Sequence, residues 1–167
     1  MDVKNQRTAQ VLKERARLLA RPVVSEARAA DEIEVAVCTV GSEQFGFPVH
    51  LLREIVPLPP VTPLPFAPEV LLGIVQVRGT LLSVFDLGLL CGAKGETNPE
   101  HLVVVETNDG PIGFTVDKVL ACRNISPSTL QQSSSPIEHR ATLGITSDLV
   151  LVFDVPRLLA LNELVIE

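Results

Sequence analysis

Residues able to do covalent chemistry are few in this chain, and their spacing does not assemble a reaction centre. Asp86, Asp117 and Asp154 are the carboxylates that could form an acid–base set. Asp86 and Asp154, however, stand just before short leucine-rich runs, where a carboxylate is explained by capping a helix. His50, His101 and His139 share no spacing that would hold a metal or complete a Ser-His-Asp arrangement. Ser133–Ser135 has no neighbouring base signature and reads as a loop. Cys38, Cys91 and Cys122 lie far apart without a CxxC pair, a poor case for zinc and a pattern that fits a reducing cytosol. Glycines sit singly at turns, so no phosphate-binding string occurs. The expectation is a chain with no catalytic residues, no cofactor and no metal.

The chemistry that remains is recognition. In the stretch GIVQVRGTLLSVFDLGLL, from Gly73 to Leu90, two β-branched and apolar runs flank Arg78-Gly79. That is a hairpin with a two-residue turn, in which Gly79 supplies a positive φ and Arg78 is carried out at the tip. An apolar hairpin presenting one guanidinium suits a docking surface as well as it suits a core hairpin with a solvated turn charge. Asp86 follows the hairpin and caps a short helix.

Around this hairpin the body reads as β. Ile33–Val40 alternates apolar and polar residues, Gly41-Ser42 turns the chain, and Phe45–Val49 forms a second strand. Leu51–Val56 is either a helical turn or a third strand. Six prolines between Pro57 and Pro68 impose an extended connector, because proline cannot donate to a ladder. The pattern then repeats. FGFPV at 45–49 recurs as IGFTV at 112–116, VFDLGLL at 84–90 as VFDVPRLL at 152–159, and Gly73-Ile74 as Gly144-Ile145. Five strands per half would leave two bare sheet edges, and curling into a small barrel removes them. The expected fold is all-β with short helices, in two lobes at about 33–92 and 101–161. Exchange of strands between the lobes is left open.

Before this body, Ala9, Leu12, Ala16 and Leu19 recur at helical spacing from Thr8 to Arg21, and Pro22 ends the run. Residues 1–30 therefore form a basic amphipathic helix and linker, with seven Lys+Arg against three Asp+Glu. The helix docks a partner, associates with itself or lies back on the acidic body; the pattern does not choose. Residues 31–167 carry seven Lys+Arg against seventeen Asp+Glu, an acidic balance that argues against a nucleic-acid partner. The polar start lacks the apolar core of a secretory signal, and no apolar run reaches the length of a membrane span.

The strings GSEQFGFPVHLLREIVPLPPVTPLPFAPEVLLGIVQVRGTLLSVFDL, GPIGFTVDKVLACRNI and GITSDLVLVFDVPRLL, in that order, resemble the CheW-like domain of bacterial chemotaxis. The resemblance covers about residues 33–161, within a domain placed at 31–162. It implies two five-stranded SH3-like β-barrel lobes and a non-enzymatic adaptor. Such an adaptor couples the cytoplasmic domain of a chemoreceptor (a methyl-accepting chemotaxis protein) to the regulatory domain of a CheA-type histidine kinase. The implied location is the cytoplasm, peripheral to the inner membrane through receptor arrays and without insertion into it. Association with itself or other CheW-like proteins in rings belongs to the same implication. By the same resemblance Leu52, Glu54, Arg78, Gly79 and Leu81 form the receptor/kinase-binding interface, while Asp86 and Asp154 keep the role of structural helix caps read from their positions. This chain reads Gln76-Val77-Arg78-Gly79 where the family commonly reads NLRG. Alternative roles are a scaffold for a chemosensory-like pathway controlling pili, gliding or gene expression, and a small-molecule sensing module.

Overall fold

Two sheets of five strands each carry the fold in a computed structural model, which describes residues 31–132 and 141–161. The expected helix over Thr8–Arg21, Ser133–Ser135 and His139 lie outside those residues. In chain order the strands are β1 (Ile33–Val40), β2 (Glu43–Pro48), β3 (Leu52–Pro57), β4 (Leu71–Val77) and β5 (Thr80–Asp86). A short helix α1 (Leu87–Cys91) follows, then β6 (His101–Thr107), β7 (Gly110–Val116), β8 (Lys118–Ile125), β9 (Thr142–Ile145), β10 (Val150–Phe153) and α2 (Val155–Leu159). Leu51–Val56, ambiguous in sequence, resolves into a 3-10 turn at Val49–Leu51 and the strand β3.

Strand pairing does not follow the two halves of the sequence. One sheet, here barrel A, has the order β8-β1-β2-β10-β9; barrel B has the order β3-β6-β7-β5-β4. The strand exchange left open for lobes at 33–92 and 101–161 is present: barrel B is the continuous middle of the chain, and barrel A joins its beginning to its end. The β2-to-β3 crossing passes through Val49–Leu51, and the β7-to-β8 crossing through Asp117. The joins inside the two sheets are the parallel pairs β2–β10 and β5–β7, while the other ladders are antiparallel. Corresponding strands occupy corresponding places either way, so the repeat in sequence is satisfied by both arrangements.

Each sheet closes on itself through a bridge beyond its edge strand. Thr62, on the proline-rich connector after β3, exchanges two 2.9 Å backbone hydrogen bonds with Ile74 of β4. Gln131, beyond β8, exchanges bonds of 2.9 and 2.8 Å with Ile145 of β9. The residue before each closing isoleucine is a glycine, Gly73 with φ +148° and Gly144 with φ +147°. A side chain at either would run into the bridging strand's carbonyl, Thr62 O or Gln131 O, so the recurring Gly-Ile pair is the closure itself.

Closure on one face and barrel-to-barrel packing on the other bury both sides of the central strands. Along β6, Leu102 and Val104 point into barrel B with Val75, Val77, Leu82 and Val84. Val103 and Val105 join a larger cluster that both barrels share. In that seam Phe47 of β2 meets Phe114 of β7 at 6.1 Å between ring centroids, Phe153 at 5.0 Å, and Phe114 meets Phe85 at 6.2 Å. Burying each such side chain is worth about 1.5–3 kcal/mol. The half-buried reading of Ile33–Val40 is corrected for the same reason: Val35 faces barrel A while Cys38 and Val40 face the seam.

Candidate protein-docking site

The β4–β5 turn brings the sequence-derived site residues to one edge of barrel B. Arg78 has φ +48° and Gly79 φ +80°, so both turn residues take the left-handed backbone of a type I′ hairpin, whose twist matches its strands. Val77 and Thr80 close the turn as an opposed pair. A non-glycine residue at positive φ is strained, and the chain accepts that strain at the one position that lifts the arginine from the barrel.

The guanidinium at the tip is held from behind. Arg78 Nε donates to Glu54 Oε2 at 2.7 Å, across 24 residues of chain. Arg78 is 76% exposed, whereas Glu54 is 18% exposed. Glu54 sits on β3 beside a register shift between Leu52 and Glu54 in the β3–β6 ladder. Such an irregularity re-aims the side chains that follow it, and the connector leaving β3 closes the barrel on β4 through Thr62 and Ile74. The hydrogen bond, and after it the charge of Glu54, raises the affinity of the guanidinium for its proton. With Nε engaged and the side chain 76% exposed, the guanidinium keeps further N–H donors for a partner's carboxylate.

Leu81 stands three residues beyond Arg78, opposite Gln76, and leaves 69% of its surface in solvent. Leu52, by contrast, is half-buried against the seam cluster. The structure thus unites Glu54, Arg78, Gly79 and Leu81 at the tip of barrel B and sets Leu52 inward of them. Asp86 Oδ1 accepts from Leu89 N–H at 3.0 Å and Asp154 Oδ1 from Arg157 N–H at 3.3 Å, each at the start of its helix. No group of three or more His, Cys, Asp or Glu able to hold a metal is present among the described residues.

The CheW-like domain family model matches residues 34–163. The chain belongs to the CheW-like family. It is 30% identical over 117 residues to the chemotaxis protein CheW of Rhizobium meliloti, covering 67% of this chain and 76% of that protein. With the chemotaxis protein CheW of Klebsiella aerogenes it shares 26% over 139 residues, 78% of this chain and 84% of that one. The same fold occurs in the scaffolding protein TtCheW from Thermoanaerobacter tengcongensis, with TM-score 0.67 at 23% identity over 78% of this chain and 94% of that one.

This CheW-like domain also contains polar contacts that the residue patterns do not announce. Asp117, a candidate acid in sequence, is buried at a crossing between the barrels, where its two oxygens accept from Gly41 N–H at 2.8 Å and Asn98 N–H at 2.9 Å. It therefore ties loops together. In barrel A, Arg123 of β8 grips Asp148 of the β9–β10 turn with bonds of 2.6 and 3.0 Å, and Thr146 Oγ1 donates to the same carboxylate at 2.7 Å. These hydrogen bonds hold the Asp148 carboxyl well below the usual carboxylate range. The two barrels carry analogous braces of opposite polarity: the cation is at the hairpin tip in barrel B and on the ladder strand in barrel A. Recurrence of the hairpins points to a contact at each tip, but not to which residue answers it.

Proposed function

We propose that this CheW-like chain is a non-enzymatic scaffold of a chemosensory pathway. It couples the cytoplasmic tip of a chemoreceptor to the regulatory domain of a CheA-type histidine kinase, and Arg78 is the anchor on the receptor side. The observation that carries the reading is the Arg78–Glu54 contact: an exposed guanidinium lifted on a strained turn and fixed through Nε. An anchor fixed before binding loses less side-chain freedom when it docks. The neighbouring exposed Leu81 supplies the apolar part of the contact, in keeping with interfaces that rest on a few such residues. The relatives carry the name chemotaxis protein, and the structural neighbour is called a scaffolding protein.

Calorimetric titration of this protein with the receptor's cytoplasmic hairpin, and separately with the kinase's regulatory domain, tests the reading. Binding to both, with the receptor arm lost on Arg78→Ala, is the expected result. Absence of binding to either overturns the bridging role.

A further inference from the structure

Two barrels that meet through an apolar seam need a directed contact to fix the angle between them. Burial of Phe47, Phe114 and Phe153 holds the faces together, but the hydrophobic effect is non-directional. Hydrogen bonds depend on both distance and angle. A cluster of them joins the barrels at the β7-to-β8 crossing. Asp117 is the whole of that crossing, since Val116 ends β7 and Lys118 begins β8. Its N–H donates to Thr39 O of β1 in barrel A at 2.8 Å. Its buried carboxylate then reaches both ways. Oδ2 accepts from Gly41 N–H of the β1–β2 turn at 2.8 Å, and Oδ1 from Asn98 N–H of the loop before β6 at 2.9 Å.

That loop, residues 92–100, is fastened to the same turn a second time. Ser42 N–H and Oγ–H both donate to Lys94 O, at 2.9 and 3.0 Å, and Lys94 N–H donates to Glu43 Oε2 at 3.3 Å. A side chain at Gly41, which has φ +60°, would run into Lys94 O. The far end of the loop belongs to barrel B: Glu100 N–H donates to Val116 O at 3.0 Å, and Glu100 O accepts from Leu58 N–H at 2.9 Å. The β1–β2 turn of barrel A is thus seated on a loop of barrel B, with the Asp117 carboxylate between them.

We propose that Asp117 is a positioning residue: its carboxylate pins the one-residue crossing, so that barrel A stands at a fixed angle to barrel B and to the Arg78 tip. The chemistry calls for a carboxylate. Two acceptor oxygens face two N–H groups, whereas asparagine would offer one oxygen and turn an NH2 donor towards the other N–H. With one bond gone, the crossing turns about the Asp117 backbone while the ladders stay closed, because Val116 is paired with His101 and Lys118 with Thr39. The other crossing, Val49–Leu51, spans three residues and follows. The angle matters to the bridging role proposed above, but the pin belongs to the fold and is tested without either partner.

Residual dipolar couplings of the backbone amides in a weakly aligned sample report the orientation of one barrel against the other, which a contribution to stability alone does not move. One alignment tensor is expected to fit both barrels of the unaltered chain. In Asp117→Asn each barrel is expected to fit by itself, while a single tensor no longer fits the two together. Amide exchange at Gly41 and Asn98 is expected to quicken at least about 10-fold, the effect of losing a hydrogen bond to a charged group. Asn98→Pro, which removes one N–H and leaves the carboxylate, is expected to change the orientation as well. In the unaltered chain the Gly41 and Asn98 amides are expected to open together, and before the core of β1. A lower melting temperature with the single-tensor fit preserved in both variants overturns the proposal, because Asp117 would then only stabilise. So does exchange at Gly41 and Asn98 differing by more than about 10-fold in the unaltered chain after correction for intrinsic rates, a measurement that decides even if neither variant folds.

Discussion

Glu54 lies behind Arg78, its Oε2 2.7 Å from the arginine Nε, and the carboxylate is the more buried member of the pair. A docking partner approaching the hairpin tip therefore meets the guanidinium first. In the proposed contact Glu54 acts through Arg78, by setting where that guanidinium points.

Arg78→Ala is expected to weaken binding of the receptor hairpin about 30-fold, the loss typical of an anchor. Arg78→Lys is expected to recover little, because an ammonium cannot use Glu54 and a partner carboxylate with the same planar fork. Titration calorimetry at two salt concentrations checks both, with thermal melts to show the fold intact. A pair this exposed contributes little to stability, so a collapse in melting temperature would show that Arg78 is structural.

Exchanging the charges, Arg78→Glu with Glu54→Arg, is expected to rebuild an ion pair without rebuilding binding. Glu54→Gln alone should weaken binding less than Arg78→Ala. If the exchanged protein bound as tightly as the original, the order in which the two residues act would be reversed.

The shared seam predicts a single unfolding transition. Phe114→Ala removes a ring that meets both Phe47 and Phe85, at a cost of about 3–5 kcal/mol. Amide exchange should then accelerate in β1 and β2 of barrel A as well as in β6 and β7 of barrel B. Protection lost in barrel B alone would mean that the barrels unfold separately.

Cys38 and Cys122 should behave oppositely towards thiol reagents. Cys122 is exposed, whereas burial, and secondarily the charge of Cys122, pushes the Cys38 thiol up to about 12. Cys122 is expected to react at once in the native protein and Cys38 only on unfolding. A raised thiol pKa favours the fold below the unfolded value of 9.0, and the advantage is lost as pH climbs from there towards about 12. Urea titrations at pH 8 and pH 10 check the direction, and Cys38→Ala should flatten the decline.

What could be read in the letters was local or repeated. A cap is a contact between residues three apart, so VFDLGLL contains both the carboxylate and the helix it starts. Gly73-Ile74 and Gly144-Ile145 were legible as matching features, and the closing bridges show why glycine comes before the isoleucine. Partner choice between hairpins was not legible. β2 pairs with β10, more than a hundred positions on, and the repeat makes each strand equivalent to its counterpart. The Glu54–Arg78 contact was hidden for a related reason: it spans the proline connector and depends on an irregular ladder at Arg53, which no residue type announces. Asp117 was legible only as a carboxylate, because its partners are backbone N–H groups of distant loops.

Barrel B occupies an unbroken stretch from β3 to β7, while barrel A waits for strands that come afterwards. On the ribosome the inner barrel has all its strands before the outer one has more than a hairpin. During that interval the nascent chain displays Phe45, Phe47 and the open edges of β1 and β2 to solvent. Such a molecule would be most in need of a chaperone between the emergence of Val49 and that of Phe153, and a premature stop between Asp117 and Val150 would leave a finished module bound to an unfinished one.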